Sequence, residues 1–391
     1  MSKWHVIGGA LALIIIVVVG FAVWLAGLPG AVAAMMPPPV PHEETEAMLA
    51  TLKPRHARPL VAVVMLNEGT ETTDALMPTG ILRRANVADV MLLAMHPGPV
   101  NLFPALKVEA DATLSHFDAA HPEGADYVIV PAMIRDDDPA IGLWIRDQSR
   151  KGAVIIGICA GAKVIAATGL LDGMRATTHW FFVRQMLTRS PTIRYVPDRR
   201  MVLGNRIVTT TGISASMPMM LTLIEAIGGR DKADSVARDL GVSTWGPQHA
   251  SKAFALTRPF SLTVMENRLA FWNRESLGIQ LAPDMDEVSL ALVADAWSRT
   301  YRSQVTTFAD QPQPITTRQG IRIIPDQSGA DWPGTIRVSN FQNEKPATAL
   351  DRTLDQITTR YGSRTTDVVA MQLEYPRPTA RLTHAAPKET D

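Results

Sequence analysis

Cysteine is almost missing from this chain: Cys159 is the only one in 391 residues. A single thiol excludes an intrachain disulfide framework and any zinc cluster built on thiolates. Net charge is missing too, since 38 Lys and Arg balance 38 Asp and Glu. Without a basic field to attract phosphates, nucleic acid drops out as a partner. No metal and no cofactor is expected. What the chain has in quantity is apolar sequence, 46% against 19% charged residues, which suits a globular protein with a membrane contribution. Its length suffices for one large domain or two medium ones.

Residues 6–28 carry no charge, a run long enough for a bilayer-crossing helix at roughly 1.5 Å per residue. Trp4 and Trp24 stand near the two expected interfaces. The run exceeds the apolar core of a signal peptide, although Ala31-Val32-Ala33 has the small residues of a cleavage site, so processing stays open. Lys3 precedes the run, and Glu43 and Glu44 are the first charges after it. Positive residues stay inside, so residues 1–30 read as a cytoplasmic N-terminus plus a single-pass membrane helix, with the soluble part periplasmic. Residues 31–58, with Pro37-Pro38-Pro39-Val40-Pro41, read as an extended spacer in which 43–52 is either a short helix or solvated linker.

The chemistry concentrates at Gly157-Ile158-Cys159-Ala160-Gly161. The apolar run 153–156 before it reads as a buried parallel strand, and 162–168 after it as a helix that stops at Gly169. A nucleophile on a sharp strand-to-helix turn needs neighbours without bulk, which Gly157 and Gly161 supply. The helix N-terminus behind it favours thiolate over thiol, and the backbone N–H groups of Ala160 and Gly161 are candidates for holding an oxyanion. The alternative is a free cysteine packed in a strand end.

Around this turn, buried strands at 60–66, 88–95 and 126–131 alternate with helices at 74–85 and 140–151. Segment 106–110 reads as a strand of a polar-edged hairpin. A strand-to-turn unit follows at 206–212, then helices at 217–227 and 231–240. Such alternation predicts a doubly wound, mostly parallel α/β sheet over residues 59–256, with ligands beyond the strands' carboxyl ends, where Cys159 lies.

The ordered motifs Cys159, Gly169-Leu170-Leu171-Asp172-Gly173, Thr177-Thr178-His179-Trp180, Pro197-Asp198, Thr210-Thr211-Gly212 and Val236-Ala237-Arg238 resemble the ThiJ/PfpI (DJ-1/PfpI) family. That family belongs to the class I glutamine amidotransferase-like superfamily. The branch that fits best is the amidotransferase-like domain of AraC-type regulators, here without the DNA-binding helices. The resemblance implies a flavodoxin-like fold with a cysteine elbow. It implies Cys159 as nucleophile, His179 beside it, and Asp74 as the acidic residue of the first helix that poises the sulfur. On residues alone, Asp74 could equally be a helix N-cap, and His179 a structural histidine beside Trp180. Ala160 departs from the His or Thr that other branches place after the cysteine, which weakens a protease reading.

Residues 270–380 read as a degenerate repeat of the first domain. Segment 277–282 stands for the first strand, Asp286 for Asp74, and 304–309 for the second strand. Segment 321–326 resembles 193–198, 335–339 resembles 206–210, and 354–373 resembles 223–240 with Tyr361-Gly362 opposite Ile227-Gly228. The elbow is lacking, so a pseudo-dimer inside one chain is expected, or a homodimer; an unrelated extension is the alternative. Residues 381–391 form a polar tail. The function that follows is a membrane-anchored, cysteine-dependent hydrolase or lyase acting on a small reactive carbonyl, isonitrile or amide. A non-catalytic ligand or redox sensor is the alternative.

Overall fold

The computed structural model of the chain describes residues 16–17, 19–30, 36–329, 336–339, 341 and 343–376. Among them no helix is long and apolar enough to cross a membrane. Most of the apolar run 6–28 lies outside the described residues, as does the tail 381–391; residues 19–27 are helical.

Seven strands form the main sheet: β1 (Leu60–Met65), β2 (Asp89–Ala94), β3 (Ala112–Thr113), β4 (Tyr127–Val130), β5 (Val154–Gly157), β6 (Met201–Gly204) and β7 (Ile207–Thr210). Their order is β6-β7-β5-β4-β1-β2-β3, and every neighbouring pair is parallel except β6 with β7. Strand β1 shows why. Val61, Val63 and Met65 enter one apolar core while Ala62 and Val64 enter the other, so both faces must be covered. Helices α2 (Thr72–Ala85), α5 (Ser216–Gly228) and α6 (Arg230–Leu240) cover the first face, and α3 (Pro139–Arg150) and α4 (Gly161–Ala167) the second. The parallel-dominated sheet with helices on both sides puts the carboxyl ends of β1, β4 and β5 at one edge of the molecule.

Residues 42–58 are not a free spacer. Helix α1 (His42–Thr51) buries Met48, and Glu44 pairs with Arg175 at 3.1 Å and Arg199 at 3.3 Å. Leu52 accepts the Tyr127 hydroxyl at 2.6 Å, and Arg55 reaches Asp126 at 3.2 Å. Met48 and the arginines that meet Glu44 dock the segment onto the domain.

After α7 (Arg258–Leu269), the C-terminal part builds a second, four-stranded parallel sheet from β8 (Glu275–Gln280), β9 (Ser303–Ala309), β10 (Gln327–Ser328) and β11 (Ile336–Arg337). Its order, β10-β9-β8-β11, repeats β3-β2-β1-β4. A spacing of 215 residues relates the two halves, with Glu275 standing for Leu60, although the β8–β9 pairing is one residue out of step: Glu275 faces Ser303 where Leu60 faces Asp89. At that spacing Asp326 falls on Asp111, and each accepts a backbone N–H two strands' turn away: Asp111 from Leu92 at 2.7 Å, Asp326 from Thr307 at 2.9 Å. Helix α8 (Glu287–Ser298) packs across α2, and the two hairpin strands Lys107–Glu109 and Arg322–Ile323 pair antiparallel with Val108 opposite Ile323, which stand 215 apart. The arrangement therefore has an approximate twofold axis within one chain. Helices α9 (Pro346–Tyr361) and α10 (Ser363–Gln372) stand for α5 and α6 at a spacing of 133, fixed by Gly229 and Gly362 with φ of 86° and 84°.

This register corrects three correspondences read from the sequence. Segment 321–326 matches 106–111, not 193–198; β11 takes the place of β4, not of 206–210; and Asp286, the N-cap of α8, matches Glu71, the N-cap of α2, not Asp74. Likewise Gly362 stands opposite Gly229. Counterparts of β5, β6 and β7 are absent from the second sheet among the described residues.

Candidate functional site

Cys159 joins β5 to α4 with φ of 55°, a left-handed conformation that a β-carbon makes costly and that surrounding bonds must hold. They do. The Cys159 N–H donates to Thr210 Oγ1 at 3.0 Å, the Thr178 hydroxyl donates to the Cys159 carbonyl at 2.9 Å, and Ile158 N–H donates to Val130 O at 3.0 Å. The flanking glycines are required sterically. A β-carbon at Gly161 would lie 1.9 Å from Val130 O, and one at Gly157 would lie 2.7 Å from Ile165 Cδ1. The sharp turn thus survives only because α4 can lie directly on the ends of β4 and β5.

Two expectations for the elbow fail here. The Gly161 N–H is taken by Ile158 O at 2.7 Å, so it does not face a ligand; Ala160 N–H is the one that turns to the cysteine sulfur. And the thiol is not poised as thiolate. Burial first, then the charges of Asp74, Glu71 and Glu374, push it well above the ordinary cysteine range, outweighing the Ala160 N–H and a helix of only seven residues.

Asp74, in the first turn of α2, is near enough to Cys159 for its charge to raise the thiol, and it is not the cap. Glu71 caps the helix by accepting the Asp74 N–H at 2.6 Å. Asp74 Oδ2 accepts the Ala132 N–H at 3.1 Å, while its Oδ1 is buried without a hydrogen-bond partner. Burial lifts Asp74 to about 7, and lifts Glu71 to about 7 with help from the Asp74 charge. A carboxyl that titrates near neutrality can take up or deliver a proton at working pH.

His179 is held differently. Its Nδ1 accepts the Phe181 N–H at 3.2 Å, so Nε2 carries the proton and donates to Gln372 O at 2.9 Å. Both ring nitrogens are used, and burial depresses the imidazole to about 4, so it stays neutral. Its neighbour Thr178, not the ring, touches the elbow. His179 is a strut between the elbow's support and α10, and a proton-moving role has no free nitrogen to use.

The second half contributes groups that the motifs do not reveal. Arg299, from the end of α8, reaches Glu71 Oε1 at 2.7 Å and Asp295 Oδ2 at 2.7 Å. Burial opposes its charge, but Asp295 and Glu71 outweigh that and hold it above the usual arginine range; burial lifts Asp295 to about 8. The twofold mate of this pair is Arg84 with Asp286, which sits away from any cysteine. Glu374 follows α10 with φ of 48°, at the position where α6 has Gly241 with φ of 80°. Its carboxylate accepts the Gly212 N–H at 2.7 Å and the Trp180 N–H at 2.5 Å, and burial lifts it to about 7. A buried non-glycine in this conformation is a strained placement, and it delivers a second-half carboxyl beside the elbow. The 215-residue spacing from Arg84 was the one sequence signal for Arg299; Glu374 had none.

A doubly wound sheet with a cysteine held at positive φ at the carboxyl end of a central strand, beside a buried acid from the first helix, defines a cysteine-elbow α/β domain. The DJ-1/PfpI family profile matches residues 61–226, and the chain carries a domain of that family. It is similar to the zebrafish (Danio rerio) Parkinson disease protein 7 homolog, 28% identical over 185 residues, covering 46% of this chain and 95% of that protein. It is also similar to an isonitrile hydratase of Pseudomonas putida, 36% over 98 residues (25% of this chain, 41% of that protein). The HTH-type transcriptional regulator CdhR of Pseudomonas aeruginosa is 32% identical over 149 residues (37% and 43%). The chain thus spans less than half the length of those two bacterial relatives. An oxidised DJ-1 of Toxoplasma gondii superposes with 25% identity and a TM-score of 0.41, over 48% of this chain and all of that one.

Proposed function

We propose that the chain is an enzyme in which Cys159 adds to a small electrophilic carbon, that of a reactive carbonyl, an isonitrile or an amide. The observation that carries this reading is a thiol held at positive φ with a buried Asp74 close enough for its charge to act on the sulfur. In the proposed step Asp74 carboxylate takes the thiol proton as sulfur bonds to the carbonyl carbon. The C=O electron pair moves to oxygen, where the Ala160 N–H receives it, and protonated Asp74 then returns its proton. Arg299 stabilises the ionised form of the acid cluster and so keeps a base available. A thiol held protonated until substrate arrives is also sluggish toward oxidants, which weighs against redox sensing. Relatives that include an isonitrile hydratase and a transcriptional regulator keep ligand sensing as the second reading.

The test measures turnover of methylglyoxal, cyclohexyl isocyanide and a short-chain amide panel by wild type, Cys159→Ser and Asp74→Asn. Cys159→Ser should abolish turnover, and Asp74→Asn should lower it roughly 100-fold or more. Wild type inert to the whole panel would shift the reading to a sensor.

We also propose that residues 6–28 anchor the protein in the cell membrane with the bulk periplasmic. Supporting this, Arg258 at the start of α7 donates to the Leu25 and Ala26 carbonyls at 3.2 and 2.8 Å, which ties the end of that run to the domain. Membrane fractionation and protease protection of the intact chain test the anchoring and its sidedness. Recovery in the soluble fraction would exclude it.

A further inference from the structure

A cavity of about 220 Å³ lies between the two halves. Met77 on α2 and Leu292 on α8 line it, 215 residues apart; so do Met217 on α5 and Leu350 on α9, 133 apart. These are twofold mates, so the cavity straddles the internal axis. Its apolar walls come from both halves, but its charge comes from one. Arg200 lines it too, from the stretch between α4 and β6 for which the second half has no counterpart among the described residues.

Arg200 is fixed in place. Its N–H donates to Pro247 O at 2.6 Å and its carbonyl accepts the Thr211 N–H at 3.0 Å. Its side-chain Nε is buried without a hydrogen-bond partner. The carboxylate that acts on it, Glu374, is already occupied by Gly212 and Trp180 and lies 3.6 Å from His249. A half-buried guanidinium on the cavity wall, whose nearest carboxylate is already occupied, is costly unless an anion meets it.

We infer that this cavity binds a small carboxylate with an apolar body, the acid on Arg200 and the body between Met77, Leu292, Met217 and Leu350. A cavity of roughly 150 Å³ lined by aliphatic groups holds a benzene. The present one therefore suits an acid of about ten non-hydrogen atoms, such as phenylacetate or hexanoate. Inorganic phosphate and sulfate lack the apolar body and should bind weakly. The inference does not depend on Cys159 chemistry.

Titration calorimetry of phenylacetate and hexanoate into the full chain tests it, with phenylacetamide as the uncharged comparison on the same wild-type protein. Expected are saturable binding below about 1 mM and binding of the amide at least tenfold weaker. Arg200→Met should weaken the acid at least tenfold, Leu292→Trp should fill the cavity and abolish binding, and Cys159→Ser should leave it unchanged. Absence of saturable binding by either acid overturns the proposal. So does equal binding of acid and amide, or loss in Cys159→Ser, which would place the ligand at the elbow instead. The acid-against-amide comparison needs no variant and stands even if a substitution misfolds.

Discussion

Arg299→Met separates a completed site from a merely packed one. Arg299 is the one guanidinium among three buried carboxyls, Glu71, Asp74 and Asp295, with two contacts of 2.7 Å. At pH 5 those carboxyls, which titrate at about 7, 7 and 8, hold their protons in the folded state. Methionine then removes two hydrogen bonds at near-constant volume, a loss of about 2 kcal/mol. The unfolded chain ionises these carboxyls at both pH values; at pH 8.5 the folded wild type also ionises them, against Arg299, whereas the folded variant has no cation to meet them. Breaking a buried pair by removing one partner costs roughly 3–5 kcal/mol. The loss should therefore grow by about 2 kcal/mol between the two pH values. Urea midpoints followed by circular dichroism at pH 5 and 8.5 read it directly, and adding Asp295→Leu should recover part of the loss at pH 8.5 only. A loss that is equal at both pH values, or larger at pH 5, refutes the electrostatic argument and leaves Arg299 a packing residue. A second readout is iodoacetamide alkylation of Cys159, which should slow further at pH 8 once the cation is gone.

In the wild type, the raised acids Glu71, Asp74, Asp295 and Glu374 contribute stability that is full below their unfolded values and lost as pH rises through about 7 to 8. His179 and His249, depressed to about 4, act oppositely but only below their unfolded value of 6.5. Stability should therefore fall between pH 6.5 and 8, and denaturation midpoints that rise over that interval would contradict the acid cluster. Glu374→Gln should flatten this fall while keeping the fold, because an amide oxygen can still accept one of the two N–H groups; an unchanged slope would remove Glu374 from the titrating set. Gly161→Ala puts a β-carbon 1.9 Å from Val130 O and should cost about 3 kcal/mol or prevent folding, seen as loss of soluble expression. His179→Ala should lower stability by roughly 1–3 kcal/mol while the folded protein keeps turnover within about threefold; a 100-fold drop would restore a proton-moving role.

The sequence by itself determined the first domain and its elbow. Runs such as Val61-Ala62-Val63-Val64-Met65 are apolar on both faces, and only a parallel sheet covered on both sides accommodates them. Small residues on each side of Cys159 specify the turn, since any β-carbon at Gly161 meets Val130 O. Asp74 was legible by its place in the first helix. The second half was legible as a repeat but not in register. The shared Pro-Asp of 197–198 and 325–326 drew the eye, whereas the true mates, Asp111 and Asp326, are related by the backbone N–H each accepts, which leaves no motif.

Tertiary structure decided the electrostatics. Whether a thiol at a helix start ionises depends on what else is buried near it, and two of those groups, Glu374 and Arg299, come from the far half of the chain. Glu374 stands where its mate is Gly241, so the residue type itself hid the backbone conformation that aims it. His179 lost its free nitrogen to a carbonyl 193 residues away. Local pattern specifies strands, turns and the nucleophile's position because those are short-range steric problems. Charge state and proton traffic are long-range, and only the packing of one half on the other assigns them.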